Sequence, residues 1–199
     1  MRTMIAAAAA TMIALPAAAQ SLDVPSGTYV LDKGHASVLW KLSHLGFSNY
    51  TGQFDRAGLD ATVELDADNV ANSTLAVTID GQAVTTLNPG KDFDSEIEGE
   101  KFLNTVAFPE ITFTTTSIEV TGDTTATING ELSLSGQTHP FTLEATLNGA
   151  GAHPFSGTPT IGVSAEGVLD RTTWGINTFA GPIGTDVTVV VEAELSLAE

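Results

Sequence analysis

The chain has 199 residues, with 24 Asp and Glu against 7 Lys and Arg and a formal charge of -17. That length suits one domain with a real core, and a hydrophobic content of 42% excludes a disordered acidic tail. The acidity excludes nucleic acid and an anionic membrane face as electrostatic partners.

Residues 1–19 read as a secretory signal peptide. Arg2 gives a positive start, Met4 to Leu15 form an apolar run, and Ala17-Ala18-Ala19 before Gln20 has the small-residue pattern of a cleavage site. The run falls short of the roughly 18 to 20 residues that span a bilayer, so no stable membrane anchor is expected. The mature chain then occupies residues 20–199. It has no Cys, so its core must hold without disulfides even in an oxidising compartment.

From residue 36 onward the governing signal is period-two alternation rich in Val, Ile, Thr and Phe. In chain order the apolar faces are Val38, Trp40, Leu42; Leu59, Ala61, Val63, Leu65; Leu75, Val77, Ile79; Ile111, Phe113; and Ile128, Gly130, Leu132, Leu134. They continue with Phe141, Leu143, Ala145, Leu147; Ile161, Val163, Ala165, Leu169; and Val187, Val189, Val191, Ala193, Leu195, where Val190 is the one exception on the polar side. Turn signals at Gly122-Asp123, Ser135-Gly136, Asn148-Gly149 and Gly181-Pro182 separate strand readings, so neighbours are antiparallel. The pattern predicts an all-β fold of eight amphipathic strands, closed as a barrel or stacked as a sandwich; alternation alone does not choose. Residues 82–108 break it. Asn88-Pro89-Gly90 and the loosely helical Phe93, Ile97 and Leu103 predict a loop with a short helix in the 92–104 region, lying over one end of the sheet.

Chemistry-bearing patterns are sparse. Gly162-Val163-Ser164-Ala165-Glu166-Gly167 has one residue too many for a nucleophile elbow and sits inside a strand pattern. His35, His44, His139 and His153 show none of the paired spacings of a zinc site, and turn or rim histidines are the favoured reading. Asp92, Asp94, Glu96, Glu98 and Glu100 suggest calcium, but Ile97 stands where an EF-hand loop needs its Gly, so a solvated acidic loop is preferred and calcium is the lesser alternative. No metal site and no catalytic residue is assigned. Trp40, Phe54, Phe113 and Phe141 are more informative: in a sandwich they would fill a core, whereas a closed barrel can hold one small ligand among them.

Tyr29-x-x-Asp32-x-x-His35-x-Ser37-x-x-Trp40-x-x-x-His44-x-Gly46, followed by Gly52-Gln53-Phe54, resembles the opening motif of the YceI-like proteins. Three further segments match in order: Phe108-Pro109-Glu110-Ile111-Thr112-Phe113, then Leu132-x-Leu134-x-Gly136-Gln137-Thr138-His139-Pro140-Phe141, then the corner Asp170-Arg171-Thr172-Thr173-Trp174-Gly175. The resemblance runs over nearly all of the mature chain. One stretch departs from it: the family's Arg-Asp-x-His-Leu is replaced by Lys91-Asp92-Phe93-Asp94-Ser95-Glu96-Ile97, so head-group contacts do not carry over.

The resemblance implies an eight-stranded, lipocalin-like antiparallel barrel with a short helix or loop near one mouth. It also implies a noncatalytic periplasmic protein that carries a polyisoprenoid or isoprenoid-quinone lipid and needs no other cofactor. The expected lining is Val38, Trp40, Leu42, Phe54, Phe113, Leu132, Phe141, Leu143, Leu169 and Trp174. Two rival readings stand beside it: an enzyme that modifies or hydrolyses the lipid, with His35 or His44 as general base, and a structural or stress-protective protein with a solid core. Oligomeric state is left open, a homodimer being one option.

Overall fold

The alternating strands close on themselves. The computed structural model describes residues 21–86, 88 and 92–198, so the expected signal peptide and Pro89, Gly90 and Lys91 of the long loop lie outside the described residues. Among those described there are ten strands: β1 Gly27–His44, β2 Ser48–Phe54, β3 Leu59–Leu65, β4 Thr74–Asp80, β5 Val84–Thr85, β6 Glu110–Val120, β7 Thr125–Leu134, β8 Gln137–Ala152, β9 Pro159–Asp170 and β10 Ile183–Leu197. One helix, α1 Phe93–Glu98, follows β5.

Eight of the strands form the closed antiparallel ring β1-β3-β4-β6-β7-β8-β9-β10, with β10 pairing back onto β1. Strand β2 pairs with the second half of β1, Val38 to His44, while β3 pairs with its first few residues, Gly27 to Val30. Strand β5 extends this addition by pairing with Gln53 and Phe54 of β2. One strand thus serves two neighbours in succession.

A bulge makes the handover. Leu31 pairs with Leu195 and Ala36 with Ala193, so Asp32 to His35 loop out of the ladder against β10. The loop is pinned: Gly34 N–H donates to Asp32 Oδ1 at 2.8 Å, Arg56 Nη1 to the Gly34 carbonyl at 3.0 Å and Lys33 Nζ to the Ala57 carbonyl at 3.2 Å.

The two ends of the barrel differ. The lower end is sealed by Tyr29, Leu65, Ala67, Ile161 and Leu195, with Leu22 and Val24 packed against them. Leu22 N–H donates to the Ala67 carbonyl at 2.8 Å and the Tyr29 hydroxyl to the Pro25 carbonyl at 2.8 Å, so the segment before β1 is bound down there. The upper end carries the β1–β2 turn, the β7–β8 turn at Ser135-Gly136, the corner after β9 and the α1 segment. The helix lies inside the 92–104 region expected to hold a short one; Gly99 ends it, its N–H returning to the Glu96 carbonyl, and the chain continues as turns to Phe108.

Candidate lipid-binding cavity

The interior is hollow. An apolar cavity of about 490 Å3 occupies the upper half of the barrel, and a second of about 240 Å3 lies below it. Val38, Ile79, Leu132, Phe141 and Val189 belong to the walls of both, so the two chambers are stacked along the barrel axis. Close-packed interiors hold few voids larger than a water molecule, and an apolar chamber of this size suits an apolar ligand.

The structure distributes the expected lining between the chambers. Val38, Trp40, Leu42, Phe54, Leu132, Phe141 and Leu169 line the upper one. Phe113 and Leu143 line the lower one. Trp174 lines neither. It is buried in the corner after β9, where its indole N–H donates to the Leu132 carbonyl at 3.0 Å and its ring meets His139 edge-on at 5.3 Å. A Trp on a turn closes the barrel end, whereas a Trp on a strand faces the axis.

The large rings lie flat because glycines face them. A Cβ on Gly52 would come within 2.1 Å of the Trp40 ring, one on Gly130 within 2.4 Å of Phe113 and one on Gly167 within 2.6 Å of Phe141. Each aromatic covers a neighbouring strand where that strand has no side chain of its own. The chamber keeps its width as a result.

Above Trp40 the wall is aromatic and then polar. Tyr50 stacks on Trp40 with centroids 6.2 Å apart, Phe93 of α1 meets Tyr50 edge-on at 5.6 Å, and His44 lies 6.3 Å from Tyr50. Polar side chains in the upper lining are His44, Tyr50, Glu96 and Arg171, all toward the upper end. Tyr50 escaped the sequence reading because Gly52 interrupts the alternation of β2. Its place two residues before a strand glycine was the available signal.

The segment at 92–108 is tied down on both sides. Asp94 Oδ1 accepts from the Thr86 amide and hydroxyl, each at 2.6 Å, and these bonds hold its carboxyl below the usual carboxylate range. Thr105 is buried, and its N–H donates to the Glu98 carbonyl at 2.9 Å. Across the mouth, the Thr178 hydroxyl donates to the Lys101 carbonyl at 2.7 Å. Phe93, Ile97, Phe102 and Leu103 complete the chamber from this side, so the residues that depart from the family pattern supply both a latch and part of the lining.

The corner Asp170–Gly175 explains itself residue by residue. Asp170 Oδ1 caps the turn by accepting from the Thr172 amide at 2.9 Å and hydroxyl at 2.7 Å. Arg171 turns inward, is buried, and donates to four carbonyls: Gly184 at 3.0 Å, Ile176 at 2.6 Å, Thr178 at 2.9 Å and Ile183 at 3.1 Å. Burial draws its pKa down, yet an arginine stays charged. Gly175 takes the left-handed conformation that ends the turn.

Asp32, His35 and Glu194 form a separate exposed cluster on the bulge, with donor atoms within 4.8 Å of one another. His35 Nδ1 lies 2.9 Å from Asp32 Oδ2. That hydrogen bond raises the His35 pKa, with the Asp32 and Glu194 charges adding to it, and lowers that of Asp32. None of the three lines either chamber, which separates His35 from any chemistry on a ligand inside.

The family model for the YceI-like domain matches residues 29–195. The chain belongs to the YceI-like family. Protein YceI of Escherichia coli O157:H7 is 36% identical over 168 residues, which is 83% of this chain and 85% of that protein. Two solved structures superpose well: BcnA of Burkholderia cenocepacia (TM-score 0.72, 17% identical, covering 82% of this chain and 98% of that one) and the YceI protein of Campylobacter jejuni (TM-score 0.69, 24% identical, 79% and 90%). A polyisoprenoid binding domain from Saccharophagus degradans shares the fold at a TM-score of 0.62, 14% identical, over 87% of this chain and 100% of that one.

Proposed function

We propose that this YceI-like protein is a noncatalytic periplasmic carrier of a polyisoprenoid or isoprenoid-quinone lipid, held with its tail down the barrel axis. The observation that carries the reading is the gradient along the cavity: aliphatic and aromatic walls below, and His44, Tyr50 and Glu96 at the upper end. Such a gradient suits an amphiphile with one polar end. Burial of each CH2 contributes about 0.8 kcal/mol, so a chain crossing both chambers gathers its affinity from length. The named ligand class of the Saccharophagus degradans domain supports this choice among lipids. A solid-core structural role is disfavoured by the hollow interior.

The test is native mass spectrometry on protein isolated without detergent, with extracted lipid identified by fragmentation. One lipid per chain in the wild type, and its loss in Trp40→Asp, is the expected result, because an unpaired carboxylate in the wall disfavours an apolar chain. A folded Trp40→Asp protein with a full load would remove Trp40 from the site. Turnover of the bound lipid would instead favour an enzyme, with His44 as the residue to test.

A further inference from the structure

Beside the mouth, two loops present apolar side chains to solvent. Phe47 is 91% exposed, Phe179 60% and Leu45 51%, and Leu45 and Phe179 also line the upper chamber. The loops form one surface: His44 pairs with Ile183, and Leu45 N–H donates to the Pro182 carbonyl at 2.9 Å. Leu45 and Phe179 both hold a left-handed backbone, each with φ 55°. Bulky side chains resist that conformation, and strain of this kind gathers at working surfaces.

The charge pattern is the second observation. In a chain with 24 acidic residues out of 199, residues 42–53 contain no Asp or Glu, and residues 172–185 contain no charged residue of any kind. These are the two stretches that carry Leu45, Phe47 and Phe179. Asp170 and Asp186, paired across β9 and β10, bracket the second stretch without entering it, and a run of acids from Asp92 to Glu100 lies on and around α1. An acid-free apolar rim on a polyanionic protein is suited to a surface of phosphate groups over hydrocarbon, which acids would repel and apolar side chains would enter.

We propose that the Leu45–Phe47 turn and the Phe179 loop form a docking surface for a phospholipid bilayer, placed so that an apolar chain passes between bilayer and cavity without crossing water. The proposal rests on the carrier reading above. The apolar rim is continuous with the chamber wall through Leu45 and Phe179, which gives a lipid tail one unbroken hydrocarbon path. Because the molecule as a whole carries a formal -17, docking is driven by apolar insertion and is opposed by anionic lipid.

Flotation with vesicles of phosphatidylcholine tests this on the wild type, Phe47→Ser and Phe155→Ser. Phe47 does not line the cavity, and Phe155, 94% exposed on the β8–β9 turn at the opposite end, is the control. The wild type and Phe155→Ser are expected to float, Phe47→Ser about fivefold less or worse, and phosphatidylglycerol in the vesicles to weaken binding. Loading of the same proteins with isoprenoid lipid from detergent micelles should be unchanged by Phe47→Ser. A wild type that loads from micelles but does not float overturns docking, as does flotation unaffected by Phe47→Ser or equally lost in Phe155→Ser. Sedimentation showing a dimer that Phe47→Ser dissociates would assign the rim to a second copy and overturn it too. Flotation through Phe47 by a protein that takes up no lipid would uphold the surface and sink the carrier reading.

Discussion

Trp40 and Gly52 face each other across the β1–β2 ladder, and the indole occupies the space that any side chain at 52 would need. The width of the upper chamber at this level is therefore set by a residue with no side chain.

Gly52→Ala places a carbon about 2.1 Å from the ring, a contact that only displacement of Trp40 can relieve. Overpacking of this kind costs about 1–3 kcal/mol, a fall of several degrees in melting temperature for a domain of this size. Thermal unfolding reads that loss. Lipid loading should fall as well, because a displaced indole intrudes on the chamber. An unshifted melting point would mean that the ring moves aside freely.

Arg171→Ala leaves the carbonyls of Ile176, Thr178, Ile183 and Gly184 without their donor. The expected loss is about 3 kcal/mol or more, with lipid affinity less affected than stability. Arg171→Lys should recover little, since an ammonium cannot reach several carbonyls in the plane of a guanidinium. An affinity loss at unchanged melting point would make Arg171 a ligand contact.

Asp94→Asn tests the latch on the α1 segment. Hydrogen exchange across residues 93–105 should rise in the variant while that of β10 stays put, and bound lipid should protect the segment in the wild type. The Asp94 pKa is depressed in the folded protein, so the latch contributes above the ordinary carboxylate value and is lost as pH falls through the folded one. Exchange in the wild type at strongly acidic pH should approach that of the variant. Protection equal to that of residues 187–195 with and without lipid would make the segment a fixed wall.

His35 has a raised pKa in the folded protein, so its contribution is fully present below its unfolded value and lost as pH rises through the folded one. Asp32, with a depressed pKa, contributes above its unfolded value and loses that contribution at lower pH. The pair therefore favours folding most at mildly acidic pH. His35→Asn should flatten the decline in melting temperature as pH rises above the ordinary histidine value of about 6.5. The same decline in wild type and variant would assign the pH dependence elsewhere.

Much of the ring could be read from alternation because each of its strands has one wet face and one dry one. Strand β2 escaped because its inward positions run Tyr50, Gly52, Phe54, and the glycine that accommodates Trp40 erases the alternation. The bulge at Asp32–His35 escaped because its residues are polar and pair with one another, which looks like a loop in one dimension. Period two also cannot tell a filled interior from a hollow one: the inward face of β7 is apolar either way, and only closure of β10 on β1 creates the chambers. Trp40 and Trp174 looked alike as aromatics, and their fates parted because one lies mid-strand and the other in a capped turn.

A barrel stitched by backbone ladders around its whole circumference can widen only by tearing them. Here the ladder of β1 and β2 ends at the two residues of β5, while β6 pairs with β4 and β7. The upper wall between them is completed by side chains of one connecting segment, Phe93, Ile97, Phe102 and Leu103. The girth of a cargo is thus written in a stretch that can be exchanged without re-registering any strand, a gusset let into an otherwise seamless tube.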